Sequence, residues 1–238
     1  MLCRSVLIFA CCAALAVGGS PAVLGEFPWH VSIQLKNFYL TDDLWAHWCE
    51  GAIVSREYIL TNAGCIYSIH ELRVVSSTLD WKIFDMVHNV TEMVRDEVEL
   101  GRRLSLWKVD PPFEFDNHTR AVQLPARFAE SLPGTEMTVS GWGQFMPSEP
   151  IDILEKYRAP IESRALCSIR FPGYDWLYHI CVDVARNETV CSRRGFGAPL
   201  VYNGELRGVF HNKYDCNLPE IYTEVSLFRD WIYRITGV

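Results

Sequence analysis

The sequence predicts an all-β protein, a barrel or a sandwich, closed by a single helix at its C-terminal end. Three observations carry this. Short apolar runs broken by turn residues dominate the chain after Ala16. Asn203-Gly204, in the stretch Tyr202 to Phe210, stands between two such runs, the strongest short hairpin signal. Helical periodicity occurs once, over Val225 to Ile235, where Phe228, Trp231, Ile232 and Ile235 fall at i, i+3, i+4 and i+7.

The elements follow in order. Met1 to Ala16 carries Arg4, the apolar run Val6 to Ala10, and small residues ending Ala14-Leu15-Ala16, which is a signal peptide with its cleavage pattern. Trp29 to Leu35 alternates with period two, as a half-buried strand does. Gly51 to Val54, Tyr58 to Thr61, Leu104 to Trp107, Met137 to Ser140 and Pro199 to Tyr202 read similarly. The stretch 125–134, with two prolines and few branched residues, reads as a linker between halves. Residues 17–238 are then the mature unit, and the 238-residue chain, 49% hydrophobic, is long enough for a core as one domain or two packed lobes.

Composition excludes several functions. Net charge is −7, and −8 once Arg4 leaves with the leader, with no Lys/Arg run, so nucleic acid is no partner. The N-terminal apolar stretch is shorter than the ~20 residues a membrane helix needs, and the expected location is extracellular. Nine cysteines less Cys3, Cys11 and Cys12 leave six, an even number suited to disulfides in an oxidising compartment and leaving no thiol nucleophile. Asn89, Asn117 and Asn187 open N-x-T sequons, which would place their loops at the surface. His47 and His118 read as surface residues, since no Cys/His cluster accompanies them, and neither metal nor cofactor is indicated. The acidic groups Asp42-Asp43 and Glu97/Glu99 read as solvated faces. Phe38, Tyr39, Trp45 and Trp48 read as an aromatic loop that could bind a partner or pack on the barrel.

Several stretches together resemble the chymotrypsin/trypsin family of serine proteases: Val17 to Leu35, Cys49 to Cys65, Val139 to Gly143, Ala198 to Phe210 and Pro219 to Ile232. The resemblance implies two six-stranded antiparallel barrels with a cleft between them and a C-terminal helix. It also implies the pairing Cys49–Cys65, Cys167–Cys181 and Cys191–Cys216.

The same resemblance says where catalysis should reside: a serine nucleophile, a histidine base, and a carboxylate that orients the histidine. The histidine position, just before Cys65, holds Gly64, and His70 lies beyond the disulfide. The carboxylate position, nine residues before Pro112, holds Arg103, with Asp96 the alternative register. The serine position holds Phe196 when counted from Pro199, or Gly195 when counted from Cys191; Ser192 is the one nearby hydroxyl. In active relatives a freed N-terminal ammonium pairs with an aspartate beside the nucleophile and shapes the oxyanion hole. Here no Lys or Arg precedes Val17, and Gly195 or Arg194 stands at the aspartate, so both ends of that pair are expected to be missing. The specificity-pocket strand holds His211, Asn212 and Lys213, and a pocket-wall glycine is Glu220; Lys213 and Glu220 are expected to fill the pocket, as a salt bridge in one version.

The expectation is therefore a secreted, inactive protease homologue that acts by binding proteins. The degenerate pattern is most similar to the inactivated protease paralogues of the scabies mite, themselves similar to group 3 dust mite allergens. That resemblance implies host serum proteins as partners and interference with complement. The alternatives are a hydrolase with a non-standard site and a decoy that sequesters substrates or inhibitors.

Overall fold

The computed structural model describes residues 19–36, 45–66, 72–96, 103–143, 151–171, 174–183, 195–212 and 218–238. The first half forms a closed antiparallel barrel of six strands: β2 (His30–Lys36), β3 (Trp45–Ile53), β4 (Tyr58–Asn62), β5 (Leu72–Ser76), β6 (Met86–Arg95) and β7 (Leu104–Asp110), after the short β1 (Ser20–Pro21). Around the barrel the strands follow the order β2-β3-β4-β7-β6-β5. Its interior is filled by Val31, Ile33, Ile53, Ile59, Val74 and Trp107, alternate residues of their strands.

An irregular segment, 111–135, leads to the second half. That half contains β8 (Glu136–Gly141), β9 (Glu155–Pro160), β10 (His179–Val182), β11 (Pro199–Tyr202), β12 (Glu205–Asn212) and β13 (Glu220–Glu224). They form a seven-stranded antiparallel sheet ordered β1-β9-β8-β11-β12-β13-β10. The second unit thus differs from a closed six-stranded barrel. It curls until Ile161, just past β9, meets Val182 of β10 in a single bridge, and β1 adds a seventh strand outside β9. The β11–β12 hairpin turns on Asn203 (φ 49°) and Gly204 (φ 81°), the two positive values that a tight two-residue turn requires.

Helices depart from expectation in two ways. The C-terminal segment opens with a 3-10 turn, Val225–Phe228, before α-helix Arg229–Thr236, which ends on Gly237 in the left-handed region. Its Trp231 and Ile232 pack with Phe228 on Leu104 and Leu106 of the first barrel and Leu206 and Val209 of the second sheet, so this helix ties the halves together. The second departure is a helix with no periodic signal. Helix α1 (Arg164–Arg170) is capped by the Ser163 hydroxyl, which accepts from Leu166 N–H at 3.3 Å. It buries only Cys167 and leaves Leu166 and Ile169 exposed, so it carries no apolar stripe to read. The C-terminal helix is α2 hereafter.

Cys49–Cys65 and Cys167–Cys181 are bonded; Cys191 and Cys216 lie outside the described residues. The Cys167–Cys181 bridge closes a separation of 14 residues, for which loop-closure entropy gives about 3 kcal/mol. The C167S/C181S variant is expected to unfold at a correspondingly lower denaturant concentration; an unchanged midpoint would count against this staple.

Three surface readings need adjusting. Asn89 is exposed but lies on strand β6 rather than in a loop, Asn117 is exposed in a turn, and Asn187 lies outside the described residues. Trp45 and Trp48 belong to β3 and are half-buried, Trp48 donating from Nε1 to the Cys65 carbonyl at 3.1 Å; Phe38 and Tyr39, like Asp42, Asp43, Glu97 and Glu99, lie outside the described residues. His118 is exposed, but His47 is wholly buried.

Candidate functional site

The cleft between the halves is where the sequence places its altered residues. Gly64 sits in the 3-10 turn Ala63–Cys65 that follows β4. Asn62 caps that turn, its Oδ1 accepting from Gly64 N–H at 2.7 Å, while its Nδ2 reaches across to the Phe210 carbonyl at 3.1 Å. Gly64 itself is exposed, and a Cβ there would meet only Asn62 Oδ1, at 3.0 Å. Space for a side chain exists; the side chain does not. His70 lies outside the described residues.

Of the two registers for the orienting carboxylate, the structure places Arg103 beside this turn, its carbonyl accepting from Ala63 N–H at 3.1 Å. Asp96 instead ends β6, where its Oδ2 accepts from Leu104 N–H at 2.6 Å. The Arg103 side chain is buried, with Nη2 2.6 Å from Asp175 Oδ2 and the guanidinium over the Tyr178 ring at 4.4 Å. His179 and His211 stack nearby with ring centroids 4.6 Å apart. Burial, then the neighbouring His211 and Arg103, lowers the His179 pKa to about 3; burial and Arg103 lower that of His211 to about 4. Both imidazoles are neutral at pH 7. Two uncharged rings thus lie close to the Arg103 cation. Arg103 Nη1 and His179 Nε2 are buried without a hydrogen-bond partner among the described residues.

The backbone at the loop before Pro199 is tightly constrained. Phe196 O accepts from Glu50 N–H at 2.8 Å, and Gly197 follows at φ 90°, where a Cβ would stand 1.9 Å from the Glu50 carbonyl. Only glycine fits there. Phe196 therefore occupies the apex of the loop before Pro199, partly exposed, its ring 6.2 Å from that of Phe210. It offers no hydroxyl. Cys191, Ser192, Arg194 and Lys213 lie outside the described residues, as does the side chain of Asn212.

Gly195 brings no carboxylate of its own to the loop, but a buried one reaches it from outside: Glu50 of β3. Glu50 is fully buried; its Oε1 accepts from the backbone N–H of Gly195 (2.8 Å), Trp142 (3.0 Å) and Gly143 (3.2 Å). His30 Nε2–H donates to Oε2 at 2.7 Å, and His30 Nδ1 lies 2.8 Å from Ser140 Oγ. On the other side His47 Nε2 stands 3.9 Å from Oε1, and His47 Nδ1 lies 2.7 Å from Ser32 Oγ. Burial outweighs the attraction of Glu50 and lowers the His47 pKa to about 4. The signal for this network was the polar half of the β2 alternation. His30, Ser32 and Gln34 read as a solvent face, yet all three are buried.

The expected pairing of Glu220 with Lys213 involves a residue outside the described ones; within them Glu220 holds two phenols. It is fully buried at the start of β13, with Oε2 accepting from Tyr157 OH at 2.7 Å and Tyr222 OH at 2.9 Å. Replacing it with leucine strands both phenols, at about 1–3 kcal/mol each, whereas glutamine keeps an acceptor. E220L is thus expected to lower the unfolding midpoint well beyond E220Q, and equal losses would rule this role out.

A closed six-stranded barrel, a curled second sheet and a helix binding the two define the trypsin-like serine protease fold. The family model described as Trypsin matches residues 16–232, and the chain belongs to that family. Among curated proteins it is 28% identical to chymotrypsin-C of Rattus norvegicus, over 91% of this chain and 87% of the relative. It is 27% identical to anionic trypsin of Canis lupus familiaris over the same shares. The atomic-resolution structure of HBP superposes with a TM-score of 0.78 at 23% identity, covering 93% of this chain and 97% of that one, a likeness of fold.

Proposed function

We propose that this protein is a secreted, proteolytically inactive serine protease homologue that works by binding other proteins. The observation that carries the reading is the content of the three catalytic positions. Gly64 has no side chain, Arg103 is a buried cation, and Phe196 is a hydrocarbon ring. Hydrolysis of a peptide by this fold needs a nucleophile, a base and a group that orients the base, and these residues offer none of the three. Two disulfides support residence in an oxidising compartment.

The target class follows from the narrower resemblance to the mite paralogues: host serum proteins, with complement as the system disturbed. A scaffold stripped of its chemistry still presents loops on rigid strands, where binding residues commonly lie. The test is a pull-down from host serum with disulfide-bonded, glycosylated protein as bait, beside a fluorophosphonate probe. Saturable capture of one complement component, without probe labelling, is the expected result. Labelling or peptide turnover above buffer would favour a hydrolase with another constellation, and capture of proteases or their inhibitors would favour a decoy.

A further inference from the structure

We infer that Glu50 is a built-in latch. It holds the Gly195–Gly197 loop in its final shape from the opposite barrel, so that the loop needs no freed N-terminus. In active relatives the corresponding loop is set by an ammonium that appears only after proteolysis and reaches an aspartate within the loop. Here the loop has Gly195 at that place, and the carboxylate arrives from β3 instead.

The geometry supports a permanent attachment. Oε1 gathers the N–H groups of Gly195, Trp142 and Gly143, which belong to two separate loops of the second half. Oε2 is held by His30, and the Glu50 backbone N–H takes the Phe196 carbonyl at 2.8 Å. The residue thus grips the loop by side chain and main chain together. Such charge-assisted bonds to a fully buried acceptor are the strong members of their class. Imidazoles face both carboxylate oxygens: His30 lies against one and His47 faces the other. The carboxylate is therefore supplied with partners from within β2 and β3, independently of what happens at Val17. Any surface formed around Phe196 is present as soon as the chain folds, without an activating cut.

Amide hydrogen exchange tests this directly at Gly195, Trp142 and Gly143. Two proteins are compared, one with its N-terminus freed at Val17 and one carrying a few additional residues ahead of it. Equal protection at the three amides is expected; protection that rises on freeing Val17 would transfer the role to the ammonium and overturn the inference. In E50Q, where the charge is lost at constant volume, the same amides are expected to exchange about tenfold faster or more. Amides of Ile33 and Leu60, inside the first barrel, report whether the variant is folded. Unchanged protection in a folded E50Q would also overturn the inference. If E50Q does not fold, the N-terminal comparison alone decides, because it alters no buried residue.

Discussion

A G64H/F196S double variant is expected to hydrolyse peptides no faster than buffer and to remain unlabelled by a fluorophosphonate at position 196. The histidine fits, since a Cβ at position 64 meets only Asn62 Oδ1 at 3.0 Å. It would nevertheless lack an orienting partner. The residue whose carbonyl bonds to that turn is Arg103, its guanidinium buried and bound to Asp175. During attack on a carbonyl the imidazole must become a cation, and a buried cation next to it opposes that step. Loss of the carboxylate alone costs about 10⁴ in rate in active enzymes; here it is replaced by the opposite charge. Adding R103D would not repair the site, because Asp175 would then face a second carboxylate across the space the guanidinium fills. Turnover by the double variant would show that the remaining site still stabilises a transition state, and that Arg103 is no barrier to catalysis.

The second large effect is acid unfolding. His47, His179 and His211 have folded pKa values of about 4, 3 and 4 against an ordinary 6.5. Each is neutral in the folded protein and takes up a proton when the chain unfolds below pH 6.5. The unfolded state therefore binds more protons, and stability is full above that pH and is lost as pH falls towards 4. Three such groups give a limiting slope of about 4 kcal/mol per pH unit. By pH 4.5 the accumulated loss is on the order of 8 kcal/mol, comparable with the roughly 5–15 kcal/mol that domains possess. Urea midpoints measured from pH 7.5 down to 5 should fall steeply, and H179Q should remove about a third of the slope. A flat profile over that range would mean that these imidazoles titrate normally.

What was legible in the sequence follows from what a motif fixes. Cysteines, prolines and glycines anchor registers, so Gly64 before Cys65 and Phe196 before Pro199 could be placed by counting; the structure puts Gly64 in the turn after β4 and the Phe196 ring near that of Phe210. The Arg103 register lacked so firm an anchor; in the structure the Arg103 carbonyl accepts from Ala63 N–H, while Asp96 lies at the end of β6. Glu50 escaped because its meaning depends on the other half of the molecule. Within β3 it is one acidic residue in an apolar run; only when β2 and β3 meet the loops at 142–143 and 195–197 does it have a purpose. The same holds for His30, Ser32 and Gln34, whose alternation is a fair signal for a strand but says nothing of what covers each face. Helix α1 was invisible for the opposite reason: one buried cysteine in seven residues leaves no period to detect.

The Glu50 arrangement also bears on the mutational routes open to a lineage carrying it. An aspartate cannot simply be returned to the loop, because a Cβ at Gly195 already stands 3.1 Å from Glu50 Oε1, and two carboxylates would then share one dry site. Removing Glu50 first leaves the amides of Gly195, Trp142 and Gly143 without their acceptor. Either single step is unfavourable, and only both together move the carboxylate into the loop. Such mutual dependence behaves as a ratchet: a lineage carrying it is freer to diversify the protein's surface than to exchange Glu50 for a carboxylate at position 195.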